Sequence, residues 1–187
     1  MLGRYYLVNA TGGYSSVSTL TFLTNPPTKT ITVINRNGKT RVFTYDENYQ
    51  LLSLQNSQGK TTSYTYANGR RSMTTDANGN TTRFVYDSQG NLVAITNAAN
   101  LTTYLSYDNQ GNLLSVINPL GQITRLAYDA NNNVIRQTDR AGQITQLKYN
   151  ANQQLIKMIA PNFAPTTYTY NKGRLSVIQS IKKPPRF

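Results

Sequence analysis

Through most of the chain, large side chains alternate with small polar ones, and the alternation returns at a fixed interval. Tyr45, Tyr66, Tyr86, Tyr107, Tyr128, Tyr149 and Tyr170 lie 21, 20, 21, 21, 21 and 21 residues apart. Two residues ahead of each stand Phe43, Tyr64, Phe84, Leu105, Leu126, Leu147 and Tyr168. Four ahead stand Arg41, Thr62, Thr82, Thr103, Thr124, Thr145 and Thr166. A Thr-x-Φ-x-Tyr run, where Φ is large and apolar or aromatic, has the two-residue period of a strand with one face covered. The three- and four-residue steps of a helix are missing.

Turn residues punctuate the strands. After the tyrosine come runs such as Asp87-Ser88-Gln89-Gly90-Asn91 and Asp108-Asn109-Gln110-Gly111-Asn112. An Asp side chain there accepts bonds from the backbone ahead, and Gly or Asn tolerates positive φ. A second apolar stretch follows, such as Leu113–Ile117, and a second turn closes the unit, as in Asp76–Asn80 or Asn118-Pro119-Leu120-Gly121-Gln122. Signals at this spacing predict short strands joined as hairpins. The 20-residue step coincides with a shorter turn, Ala67-Asn68-Gly69-Arg70, and Asn171-Lys172-Gly173-Arg174 is similar. The second strand is less regular. Leu92, Val93 and Ile95, like Leu113, Leu114 and Val116, place apolar groups on both faces. Either burial on both sides or a bulge near the first Leu accounts for this.

Towards the N-terminus the pattern decays. Thr24 holds the tyrosine register, Asn25-Pro26-Pro27-Thr28 reads as a turn and Ile31–Ile34 as a strand. Further strands are predicted over Arg4–Val8 and Val17–Leu23, around Gly12-Gly13. At the other end, Pro184 and Pro185 cannot continue a central strand. The implied division is a divergent stretch over 1–34, a repeat array over 35–180 and a tail over 181–187.

The unit Tyr86-Asp87-x-x-Gly90-Asn91-Leu92, continued by Ile95-Thr96-Asn97 and Thr102-Thr103-x-Leu105-x-Tyr107-Asp108, resembles the YD repeat of the Rhs family. The likeness runs from about Ile34 to Ile178. That family includes bacterial Rhs polymorphic toxins, the C component of insecticidal toxin complexes and animal teneurins. In it, such repeats build a spiralling sheet that closes into a hollow shell, which in the toxins encloses a C-terminal effector. The resemblance therefore implies an all-β fold, a curved antiparallel β-sheet of tandem YD-repeat hairpins forming a partial β-shell. It also implies further shell segments or a toxin cargo as partners, and a bacterial, secreted or cell-surface setting. The family's DPxG-type core signature has no counterpart, since no Asp-Pro occurs, so its self-cleaving role passes to no residue here. The repeats are far fewer than a closed shell needs, which reads as a fragment, a degenerate short member or one piece of a larger assembly.

Composition narrows the chemistry. The 187 residues contain neither Cys nor His, which removes thiolate sites, the commonest zinc ligand and the commonest general base. Mean hydropathy is −0.49, charged residues are 14% and aromatics 10%, a background suited to strands with one wet face. All seven acidic residues are Asp46, Glu47, Asp76, Asp87, Asp108, Asp129 and Asp139, nearly all at turns. Equivalent turns lie two strands apart, about 9–10 Å, too far for a carboxylate pair of the retaining-glycosidase kind. No catalytic, cofactor-binding or metal-binding residue is predicted, and no cofactor. Calcium loops of the EF-hand or nonapeptide kind are not present. No apolar run matches a secretory leader or a membrane helix, so export by the general secretory route is not expected from this sequence.

Lys and Arg number 19, for a net charge of +12. Arg36, Lys39 and Arg41 cluster, as do Arg70 and Arg71, and the end carries Lys172, Arg174, Lys182, Lys183 and Arg186. The basic residues do not recur at one register, which favours a solvated surface. The alternative is a carbohydrate- or polyanion-binding face, glycan or nucleic acid, on which tyrosines would have to be exposed. Exposed sheet edges add self-association as an expectation.

Overall fold

The computed structural model describes residues 5–8, 17–24, 27–35 and 37–180, with side chains from residue 28 onward. The features expected at Arg4, Gly12-Gly13, Asn25-Pro26, Arg36 and the 181–187 tail lie outside the described residues. Among these, every regular element is a strand and every described pairing is antiparallel. The chain separates into two compact units, residues 1–85 with 95–100, and residues 86–94 with 101–187.

In the first unit β1 (Tyr5–Val8), β2 (Val17–Thr24), β3 (Pro27–Ile34), β4 (Thr40–Tyr45), β5 (Leu51–Gln55), β6 (Thr61–Ala67), β7 (Arg70–Thr75) and β8 (Thr81–Tyr86) pair each with the next. β3 begins at Pro27, opposite Thr24, so the strand starts earlier than the predicted turn over 25–28 allowed. β9 (Leu92–Thr96) is shared between the units. In the second unit β10 (Thr102–Tyr107), β11 (Leu113–Ile117), β12 (Ile123–Tyr128), β13 (Val134–Thr138), β14 (Ile144–Tyr149), β15 (Leu155–Ile159), β16 (Thr166–Asn171) and β17 (Arg174–Ser180) follow the same serial order.

The alternation predicted for the first strand of the repeat holds in β8, β10, β14 and β16, and is blurred in β4, β6 and β12. Thr103, Leu105 and Tyr107 are half-buried while Tyr104 and Ser106 are exposed; Thr145, Leu147 and Tyr149 repeat this against Gln146 and Lys148. Opposed side chains on the covered face are Phe43 with Leu54, Leu105 with Val116 and Leu147 with Met158, while Tyr168 meets an exposed Ile178 on β17. Each such pair contributes roughly 0.2–1 kcal/mol relative to alanines. No described side chain is fully buried, so these pairs and the backbone ladders take the place of an enclosed core.

The irregular second strand is a bulge. Tyr107 faces Leu113 but Ser106 faces Ser115, which leaves Leu114 over. The same shift sets aside Leu52, Ser72, Ile135, Ile156 and Ser176 in the other hairpins whose register is described. Leu114 and Ile135 are each 37% exposed, whereas Leu52 and Ile156 at the same place in their hairpins are half-buried.

Candidate functional site

Two features could carry function: the edge on which the tyrosines end, and the outward face of the strands. The turns that open on Asp or Asn share one plan. Asp87 Oδ1 accepts the backbone N–H groups of Gln89 at 3.0 Å and Asn91 at 2.8 Å, and Asp87 Oδ2 accepts the Asn91 carboxamide at 3.0 Å. The Gly90 N–H closes on the Asp87 carbonyl at 3.1 Å, with Gly90 at φ 92°. Asp76, Asp108 and Asp129 repeat the set, and Asn56, Asn118 and Asn150 repeat its backbone part. The Asn side chain at the fifth turn position holds the carboxyls of Asp76, Asp87 and Asp108 below the usual range, helped by turn N–H groups. The Asn133 N–H and then its side chain do the same for Asp129. These carboxylates serve the turns that hold them. Among the described residues, no three acidic, His or Cys side chains gather closely enough to hold a metal ion. The short turns differ: Asn68-Gly69 and Lys172-Gly173 have φ of 50°, 76°, 48° and 79°, the two positive values of a type I′ turn.

The tyrosine column is half-buried, and three of its hydroxyls reach backward. Tyr66 donates to the Leu51 carbonyl at 3.0 Å, Tyr128 to Leu113 at 2.9 Å and Tyr170 to Leu155 at 2.8 Å. Each acceptor is the first residue of a bulge. β11 pairs with β12 only as far as Ser115 opposite Arg125, because the bulge lifts Leu113 out of the ladder. The phenol then supplies the donor that the Leu113 carbonyl would have met in a regular sheet. Burial raises the Tyr128 phenol above its ordinary value, with Asp108 adding to it, and burial then Asp129 does so for Tyr149. Carboxamides link successive turns on this edge: Gln50 to the Gly69 carbonyl at 3.3 Å, Asn112 to Asn132 Oδ1 at 2.8 Å and Gln154 to the Gly173 carbonyl at 3.0 Å. The repeat pattern pointed to the column but not to these bonds, because their partners stand 15 to 20 residues back or ahead.

The basic residues divide. Lys39 and Arg41 border a depression of about 390 Å³ with Asn35 and Asn56. The Arg71 guanidinium lies 4.4 Å from the centre of the Tyr64 ring, and the Lys29 ammonium 3.2 Å from that of Tyr49. Lys172 and Arg174 are exposed beside the last turn. A group not singled out from sequence is more compact. Arg125, Arg136, Lys148 and Lys157 stand on the outward face of the consecutive strands β12, β13, β14 and β15. Their sequence separations hide this. Only the strand register, Ala127 opposite Arg136, Arg136 opposite Gln146 and Lys148 opposite Lys157, brings them together.

A family model for the RHS repeat matches residues 67–102, 86–125, 107–144 and 128–162, together just over half of the chain. The chain belongs to the RHS repeat family. A search of curated proteins for relatives found no match. Among solved structures, the RHS repeat chain is similar to a Tc holotoxin pore of Photorhabdus luminescens carrying a TccC3 mutation. That match has 16% identity and a TM-score of 0.65, over 90% of this chain and 11% of that one. It is also similar to a TcdB2–TccC3–Cdc42 structure, at 17% identity and a TM-score of 0.65 over 94% and 11%. A TcdB2–TccC3 structure without its hypervariable C-terminal region gives 16% and 0.56 over 89% and 12%. At these identities the likeness is one of fold, and the chain spans about a tenth of the length of the chains it matches. Among the described residues of this RHS repeat chain, no helix is long and apolar enough to cross a membrane.

Proposed function

We propose that this RHS repeat chain is a non-catalytic structural segment of a YD-repeat shell that encloses or presents a toxin or another polypeptide. The observation that carries the reading is what the repeated polar groups do. The phenols of Tyr66, Tyr128 and Tyr170 bond to bulge carbonyls of the preceding hairpin, and turn carboxylates bond to amides of their own turns, so these polar groups are engaged in holding the sheet. The fold shared with sections of TccC3-containing structures supports it. In this reading the repeat array over 35–180 supplies the wall, next to a divergent stretch over 1–34 and a tail over 181–187. The chain works outside or on the surface of a bacterial cell, beside further shell segments. Its exposed sheet edges make it self-associate when isolated.

The test is purification of the tagged chain from its source cells, followed by trypsin digestion with and without urea. The reading expects a second polypeptide to accompany the chain and to resist trypsin until denaturant opens the wall. A chain recovered alone, or a companion cleaved equally fast in both conditions, overturns it. The basic outward face of β12–β15 favours a second reading, a surface that holds polyanions. Retention on heparin that falls steeply with salt supports that reading, and no retention at low ionic strength removes it.

A further inference from the structure

The outward face of β12–β15 combines charge, spacing and vacancy in a way the shell does not need. Arg125 and Arg136 are diagonal neighbours across one strand pair, and so are Arg136 and Lys148 across the next; Lys148 directly faces Lys157. The four cations form one oblique stripe over four strands, about 14 Å across. Among the described residues none of them forms an ion pair or donates a side-chain hydrogen bond. The nearest acidic residues in sequence, Asp129 and Asp139, open turns at the strand ends, and their Oδ1 atoms accept N–H groups of those turns. Two lysines opposed on one face repel each other, a cost that a bound anion offsets. Between the two arginines, Ala127 is small enough to leave a depression of about 310 Å³, lined by Arg125, Leu126, Ala127, Arg136 and Thr138.

We infer that this stripe docks an extended, acidic polypeptide segment, with a carboxylate seated between Arg125 and Arg136 and others met by Lys148 and Lys157. The spacing selects the ligand. Diagonal neighbours on a sheet are about 7–8 Å apart, and alternate side chains of an extended peptide about 6.6–6.8 Å apart. Carboxylates at every second residue therefore fall in step with Arg125, Arg136 and Lys148, and Lys157, directly across from Lys148, shares the last of them. Guanidinium forks match carboxylates in pairs of bonds. A single-stranded nucleic acid would call for rings on which bases stack, and β12–β15 carry no aromatic residue on this face. The inference rests on the reading of the chain as a holder of polypeptide and names the chemistry of what is held.

The experiment titrates the full chain into a fluorescein-labelled peptide of alternating Glu and Ser and follows anisotropy. The double variant Arg136→Gln/Lys148→Gln is compared with Lys39→Gln/Lys60→Gln, which removes the same charge in the other unit. The stripe variant weakens binding about tenfold, the sum of two exposed charge contacts, and the control variant less than twofold. Equal weakening by both variants reduces the attraction to net charge and overturns the inference. So does the absence of binding at low ionic strength, or an oligothymidylate or heparin fragment that binds more tightly with the same dependence on the stripe. Both variants alter solvent-facing side chains, and matching far-ultraviolet circular dichroism confirms that they fold. Failure here leaves the shell reading standing, because that reading is decided by the trypsin-resistant companion.

Discussion

Within each unit the two edges of the hairpins are built on related turns, and among the described residues the bonds from one hairpin's side chains to the next gather at one of them. At the edge where the tyrosines end, bonds run from one hairpin to the next: Tyr128 to Leu113, Asn112 to Asn132, Gln154 to Gly173. At the opposite edge, the turns opening on Asn56, Asp76, Asn118 and Asp139 spend their side chains on their own backbone and on the Asn or Gln within the turn. Tyr66, Tyr128 and Tyr170 each reach one particular carbonyl, 15 residues back, which ties their position to the bulge before them. A turn that answers only to itself can be Asp-Ala-Asn-Gly-Asn, Asn-Pro-Leu-Gly-Gln or, at residues 160–164, Ala-Pro-Asn-Phe-Ala.

Removing a column ring breaks the asymmetry most directly. Tyr128→Ala loses a half-buried ring and its bond, and costs about 2–3 kcal/mol, below the range for a fully buried aromatic. Ile123→Ala, at the other end of the same strand, costs about 1 kcal/mol. Urea unfolding followed by circular dichroism compares the two, and equal costs would abolish the distinction between the edges. Next come the left-handed turn positions. Gly111 sits at φ 83°, so Gly111→Ala costs about 1–2 kcal/mol, whereas Gln153, at φ 59°, already bears that strain and Gln153→Gly recovers part of it. The measurement is the shift of each urea midpoint, one down and one up.

Tyr128→Phe isolates the hydroxyl and costs about 1 kcal/mol. It also changes the alkaline response. The folded phenol titrates above its unfolded value, so its stabilisation is whole below about pH 10 and fades as pH rises through the folded value. Alkaline melting of the Phe variant is therefore shallower than that of the wild type. Smaller again is the carboxamide link: Gln154→Ala, which frees the Gly173 carbonyl, exceeds Gln122→Ala by about 0.5 kcal/mol. The weakest effect is at acid pH. The carboxyls of Asp76, Asp87, Asp108 and Asp129 titrate below their unfolded value, so their stabilisation is whole above about pH 4 and is lost as pH falls through the folded values. Asp76→Asn/Asp108→Asn flattens the acid limb of a melting-temperature profile, and an unchanged limb would separate these carboxylates from acid unfolding.

Local signals were legible in the sequence. The Thr-x-Φ-x-Tyr alternation marked the covered face, Asp-x-x-Gly-Asn marked the turn, and Asn68-Gly69 marked the short hairpin, because each depends on residues a few positions apart. The second strand was ambiguous because Leu113 and Leu114 give the same pattern for a bulge as for burial on both sides, and only the opposed residue decides. The bond from Tyr128 to Leu113 and the stripe from Arg125 to Lys157 were out of reach for a related reason. They join residues on different strands, so they emerge only once the register of several ladders is fixed.

The bulge also accounts for the length of the repeat. Without Leu114, Leu113 and Ser115 would face Tyr107 and Ser106 in an unbroken ladder, every side chain would keep its present side, and the spacing would fall from 21 to 20. The surplus residue is thus topologically dispensable, yet the hairpin from Tyr66, whose spacing is 20, sheds a residue from its turn and keeps Ser72 as its bulge. In the shorter copy the missing residue is one of the loop, and the kink of the ladder is kept.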